Sequence, residues 1–312
     1  MTTATAIAET VKPALVLCQP PDPLHKPPLL RCPPGTTDCH VHVYGPAAAY
    51  PPAPTRGFDV PDALPATLKH LLDTLHVDRL VLVQPSGYGT NNQRHLDAIQ
   101  DIGRPARVVA ALRADVADAE LDRLHALGVR GVRYNIGHAG AIPIAEMPVL
   151  AQRVASRGWH VQLHVMDDGG GAPLADMEKT LAKLPTDVVI DHMGSLRPEL
   201  GVQQAGFQAL LRLVRGGRCW VKLSCGYRMS AQPAPFLDML PYVQALLAER
   251  PDRLVWASDW PHVSFKGRMP NTTDLLDQML HWVPRTARRF PAPGGGPRLR
   301  LARRGADGPG RG

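Results

Sequence analysis

Asp38-Cys39-His40-Val41-His42 places two imidazoles two residues apart inside a short apolar run. In a β-strand, residues i and i+2 face the same side, so the two rings meet in one small volume. Three later runs bring matching groups. Trp159-His160-Val161-Gln162-Leu163-His164-Val165 ends near His164, with Gly169 to Gly171 close behind. Val188-Val189-Ile190-Asp191-His192 ends in an acid and a histidine ahead of Gly194, and Leu254-Val255-Trp256-Ala257-Ser258-Asp259 ends in a carboxylate ahead of Pro261. Each run is strand-like and closed by a breaker. Polar groups gathered at the C-terminal ends of strands that alternate with helices are the arrangement of an active site on a (β/α)8 TIM barrel.

The rest of the chain supplies the other units. Strand candidates lie near residues 36–43, 79–84, 107–112, 129–135, 159–165, 187–193, 219–225 and 253–259. Between them, helical periodicity runs through 64–76, 91–102, 118–127, 147–157, 207–214 and 236–249,. Alternating strands and helices imply a parallel sheet, and eight such units fit one closed barrel over residues 36–284, with no second domain.

Both ends differ in character. Prolines at 13, 20, 21, 23, 27, 28, 33 and 34 leave residues 1–35 little room for a helix or a central strand, so this segment reads as an extended Pro-rich arm, laid on the barrel or disordered,. It lacks the pattern of a secretory leader, and no apolar run is long enough to cross a bilayer. Five cysteines, an odd number without metal-ligand spacing, argue against a disulfide framework and for a cytoplasmic protein,. Residues 285–312 carry eight arginines against one acid, Asp307, a surplus that equals the formal net charge of +7 of the whole chain. Residues 1–284 are therefore neutral overall, and the barrel gives no support to a nucleic-acid or membrane partner,. This Arg/Gly/Pro-rich tail reads either as a disordered basic extension or as out-of-frame translation of a GC-rich gene. The second is favoured, because 271–283 begins a last barrel helix that nothing after Pro284 completes.

Together with Gln84-Pro85-Ser86, Gly128-Val129-Arg130-Gly131-Val132-Arg133-Tyr134-Asn135 and Ser258-Asp259-Trp260-Pro261-His262, the strand-one and strand-six motifs resemble the amidohydrolase superfamily. They are most similar to its lactonase branch, which includes 2-pyrone-4,6-dicarboxylate lactonase and 4-sulfomuconolactone hydrolase. The likeness runs from about Thr36 to Val283; an Asn-Pro-Ala-Arg-Leu-like closing segment normal in that branch is missing. The resemblance implies that Asp259 is the general base that activates water against a lactone carbonyl, and that His40, His42 and His192 stabilise the oxyanion.

It leaves the metal open. Pyrone lactonases work without one and carry a tyrosine on strand five where this chain has His164, whereas metal-dependent relatives use a histidine there. One divalent ion, zinc by ligand type, would then sit on His40, His42, His164 and Asp259; otherwise His164 binds substrate. Arg133 and Arg228 suit bidentate binding of a carboxylate or sulfonate, and Ser86 adds a hydroxyl. Histidines 70, 76, 95, 125 and 281 fall in helical stretches and read as solvated. The expected activity is hydrolysis of a small anionic lactone in aromatic-compound catabolism. The alternatives are a sugar-acid lactonase, a zinc-dependent non-oxidative decarboxylase, and a barrel disabled by its altered C-terminus. The sequence does not fix the oligomeric state.

Overall fold

The computed structural model describes residues 15–24, 26–166 and 172–284. Eight strands form one parallel sheet in chain order: β1 (Thr37–Val41), β2 (Arg79–Val83), β3 (Ala106–Ala110), β4 (Val129–Ile136), β5 (His160–Val165), β6 (Val188–Ile190), β7 (Cys219–Leu223) and β8 (Leu254–Trp256). β2 shows why they read as apolar runs: Leu80, Val81, Leu82 and Val83 are all buried, since a barrel strand is covered on its outer face by helices and on its inner face by other strands.

The sheet closes just past the end of β8. There Val41 bridges Trp260 in parallel, the Asp259 N–H donates to the His40 carbonyl at 3.0 Å, and the His42 N–H donates to the Trp260 carbonyl at 2.8 Å. Asp38 Oδ1 adds a side-chain tie, accepting from the backbone N–H groups of His40 and Ser258 at 3.1 and 3.0 Å. An eight-stranded parallel sheet closed in this way and wrapped by helices is a (β/α)8 barrel.

The helices are α1 (Pro65–Leu75), α2 (Gln93–Ile102), α3 (Asp118–Ala126), α4 (Met147–Val154), α5 (Ala172–Lys183), α6 (Ala205–Arg215), the single turn α7 (Gly226–Met229), α8 (Leu240–Glu249), α9 (Thr272–Asp277) and α10 (Met279–Trp282). α6 turns Phe207, Leu210, Leu213 and Val214 inward, while its outer Arg212 and Arg215 pair with Glu178 of α5 and Glu249 of α8. α5 has no counterpart in the sequence reading. Leu174, Met177, Leu181 and Leu184 carry its period, but Gly169 to Gly171 and Pro173 mask its start; proline is tolerated there because the first helical N–H groups lack partners.

β6 and β8 fall furthest short of the expected ends, and both yield site residues just past them. β6 ends at Ile190, and residues 191–194 form a tight turn in which His192 and Met193 both have φ of 51°. β8 ends at Trp256, and Asp259 follows at φ 64°. The described part of the N-terminal arm lies on the barrel. Val16–Leu17 pairs in parallel with Phe58–Asp59, the Leu29 and Leu30 N–H groups donate to the Asp277 carboxylate, and the Thr273 hydroxyl donates to the Lys26 carbonyl. The reading of 285–312 falls outside the described residues.

Candidate active site

Alternation on β1 turns His40 and His42 to the barrel interior, where both are buried, and the turn after β6 adds His192. The three Nε2 atoms surround one oxygen. Asp259 Oδ1 lies 3.7 Å from His40 Nε2, 3.8 Å from His42 Nε2 and 3.5 Å from His192 Nε2. Its other oxygen is fully engaged: Oδ2 accepts from the Tyr227 hydroxyl at 2.8 Å, the Arg228 Nη2 at 3.1 Å and the Cys225 thiol at 3.2 Å. Three donors on one oxygen fix the carboxylate plane and leave Oδ1 for the cavity.

A layer of buried charge lies beneath. Asp191 Oδ2 accepts from Arg133 Nη2 at 3.2 Å and Gln162 Nε2 at 3.0 Å, while its Oδ1 faces Lys222 Nζ at 2.9 Å and His40 Nδ1 at 3.2 Å. Above it opens a cavity of about 530 Å³ whose lining includes Ser86, Arg133, His138, His164, Arg228 and Asp259. That volume suits a small molecule. A separate hollow of about 360 Å³ near Asn91, Arg113 and Arg123 shares none of these groups.

Burial dominates the electrostatics. It pushes His42 down to about 3 and His138 to about 4, with Arg133 adding to both, and it holds His40 and His164 well below the usual histidine value. These rings are neutral at neutral pH. Burial works against the charge on Asp259, yet His192, Arg228, His40 and His42 override it and keep the carboxyl well below the usual range. His192 is itself pushed down by burial, so Arg228 is the partner whose positive charge persists.

A family model described as amidohydrolase matches residues 37–293. The chain belongs to the amidohydrolase family. It is 36% identical over 270 residues to a protein of Comamonas testosteroni named 2-pyrone-4,6-dicarbaxylate hydrolase, covering 82% of this chain and 87% of the relative. It is 31% identical to a 4-sulfomuconolactone hydrolase of Hydrogenophaga intermedia, covering 82% and 85%. Among solved structures, a probable 2-pyrone-4,6-dicarboxylic acid hydrolase of Acinetobacter baumannii with citric acid bound superimposes with a TM-score of 0.68 at 29% identity, covering 80% of this chain and 92% of that one.

Amidohydrolases of this fold invite a test for a metal. His40, His42 and Asp259 offer two nitrogens and one oxygen within 4.8 Å of one another, a donor set that could hold a divalent ion,. His42 is also oriented for it, since its Nδ1 lies 2.6 Å from the Val83 carbonyl and must donate there, which bares Nε2,. His164 joins none of the candidate ion groups among the described residues. Its Nδ1 pairs instead with His138 Nε2 at 3.1 Å, which places it in the cavity wall.

The amidohydrolase barrel thus brings together Asp259, His40, His42 and His192, and lines the cavity with Ser86, Arg133, His164 and Arg228. Both arginines are already bonded inside: Arg133 to Asp191 and the Gln84 carbonyl, Arg228 to Asp259 and the Val263 carbonyl. His95, read as solvated, is buried, and its Nε2 accepts from the Val43 N–H at 3.4 Å. The sequence reading missed Tyr227, Cys225, Lys222, Asp191 and His138 as functional residues. Lys222 and Asp191 were legible as charges inside apolar strand ends. Tyr227 and Cys225 gave no such sign.

Proposed function

We propose that the protein hydrolyses a small anionic lactone, of the kind found in pyrone dicarboxylates and muconolactones, in the breakdown of aromatic compounds. The observation that carries this reading is the division of labour at Asp259: Oδ2 saturated by Tyr227, Arg228 and Cys225, Oδ1 open to the cavity and ringed by three imidazole nitrogens. A water on Oδ1 passes its proton to the carboxylate as it attacks the lactone carbonyl. The oxyanion settles against the N–H groups of His40 and His192, since the bare Nε2 of His42 cannot donate,. Collapse breaks the ring C–O bond, and the proton held by Asp259 leaves on the new hydroxyl.

A carboxyl held so low is a weak base in the empty site. An anionic substrate corrects this, because its charge competes for Arg228 and raises the basicity of Asp259 in the complex. The names of the Comamonas and Hydrogenophaga relatives, and citric acid in the Acinetobacter structure, support an acidic ligand. If an ion is bound, zinc is our assignment, with His40, His42 and Asp259 as its holders and His164 left to the substrate; it would supply Lewis-acid polarisation of the carbonyl. Acid release from 2-pyrone-4,6-dicarboxylate, a sulfonated muconolactone and a neutral lactone, each with and without added zinc, tests the proposal. Turnover of the anionic lactones is expected, and turnover of none of them overturns it.

A further inference from the structure

We infer that the N-terminal arm completes the anion site: its Cys18 is a positioning residue that holds the peptide unit between Val263 and Ser264, and with it the guanidinium of Arg228. That peptide unit is gripped from both sides. Its carbonyl, on Val263, accepts from Arg228 Nη2 at 2.8 Å, and its N–H, on Ser264, donates to Cys18 Sγ at 3.1 Å. In a planar trans peptide the carbonyl and the N–H point in opposite directions, so a rotation that frees one displaces the other. The same Nη2 reaches Asp259 Oδ2 at 3.1 Å. One line of contacts therefore runs from the arm to the Asp259 carboxylate, through Cys18, the 263–264 peptide and Arg228.

The loop needs a tie of this kind. Residues 263–265 form no helix or strand, and His262 and Ser264 hold φ of 63° and 60°, a region that residues other than glycine keep only where their surroundings enforce it. Yet this loop frames Arg228: the Phe265 ring lies 5.8 Å from the guanidinium, and Val263 and Ser264 line the cavity. The arm brings Cys18 there on a fixed backbone. Val16–Leu17 pairs with Phe58–Asp59, the Cys18 N–H donates to the Asp59 carbonyl at 2.7 Å, and Phe58 lines the cavity as well. Gln19 Nε2 adds a separate tie, donating to the Gly267 carbonyl at 3.1 Å. Cys18 is buried, and burial pushes its thiol up, so the sulfur is a neutral acceptor shielded from water.

The inference rests on the reading of Arg228 as the partner of an anionic substrate, and citrate is a probe that tests it without turnover. Cys18→Val keeps the bulk and loses the acceptor, whereas Cys18→Ser keeps an acceptor. In the full chain, Cys18→Val should raise the citrate Kd about threefold to tenfold, the scale of one neutral hydrogen bond. Cys18→Ser should stay within about twofold of wild type, as should Gln19→Ala, which removes only the other tie. In the Arg228→Met background Cys18→Val should cost nothing more, because the two side chains act as one unit. KM should rise in Cys18→Val for an anionic lactone and not for a neutral one. An unchanged citrate Kd in Cys18→Val, a full second loss in the Arg228→Met background, or an equal loss in Gln19→Ala overturns the inference. If Arg228→Met and wild type bind citrate alike, the anion reading fails, and proton exchange then decides the positioning. The Ser264 amide and the Arg228 guanidinium should exchange faster in Cys18→Val than in wild type, and unchanged exchange at Arg228 overturns it.

Discussion

Arg228→Met removes the one persistent positive charge on Asp259 and should change both binding and pH dependence. The guanidinium lies 3.1 Å from Asp259 Oδ2, with its side chain 24% exposed and that of Asp259 only 4%, so solvent screens the pair little. An arginine at this distance lowers an aspartate by about 1–3 pKa units. Its removal leaves burial to push Asp259 upward. Catalysis needs the carboxylate, and a depressed carboxyl loses that form only when the pH falls through its low value. Wild-type kcat/KM should therefore stay flat down to about the ordinary aspartate value of 3.9. In Arg228→Met the acid limb should climb by about 1–3 units, so that activity near pH 5 falls more than activity at pH 8. Loss of a charge-assisted hydrogen bond of about 1.5–3 kcal/mol to an anionic lactone should also raise KM roughly tenfold to a hundredfold or more. The assay is a pH–rate profile on an anionic and a neutral lactone, with the melting temperature as a control for lost stacking on Tyr227. Superimposable acid limbs, with an unchanged KM for the anionic lactone, would refute the coupling of Arg228 to both base and substrate.

Tyr227→Phe deletes the 2.8 Å bond to Asp259 Oδ2 and should lower kcat/KM about ten- to a hundredfold, matching a hydrogen bond to a charged group; a change within about twofold would show that Arg228 and Cys225 suffice to hold the carboxylate. His164→Tyr should leave bound metal, measured by elemental analysis, the same as in wild type while shifting KM, because His164 pairs with His138. Loss of metal in that variant would restore His164 as a ligand.

The barrel was legible because its strands are short apolar runs with breakers behind them, and the closed sheet follows them in chain order. The imidazole pair was legible for a local reason: strand alternation alone puts His40 and His42 on one side. Asp259 and His192 were found as polar ends of apolar runs, though the turns with positive φ that aim them were not. Tyr227 and Cys225 reach Asp259 through α7, a single turn whose approach to β8 is set by tertiary packing. Lys222 was legible as a charge inside an apolar strand, but its place 3.1 Å from His40 Nδ1, 182 positions away in the chain, was not. The arginines show a further limit. Residue type suggested anion binding at Arg133 and Arg228, but not which acids they pair with, Asp191 for the first and Asp259 for the second.

The most direct measurement is kcat of Asp259→Asn on whichever anionic lactone the wild type turns over fastest. Asparagine is nearly isosteric and, like aspartate, is tolerated at positive φ, so the backbone at φ 64° is kept while the proton acceptor is lost. The account predicts a normal melting temperature, retained substrate binding and a loss of about a hundredfold to ten-thousandfold in kcat, the share of a general base. Turnover near the wild-type rate would contradict it and remove Asp259 from the chemistry.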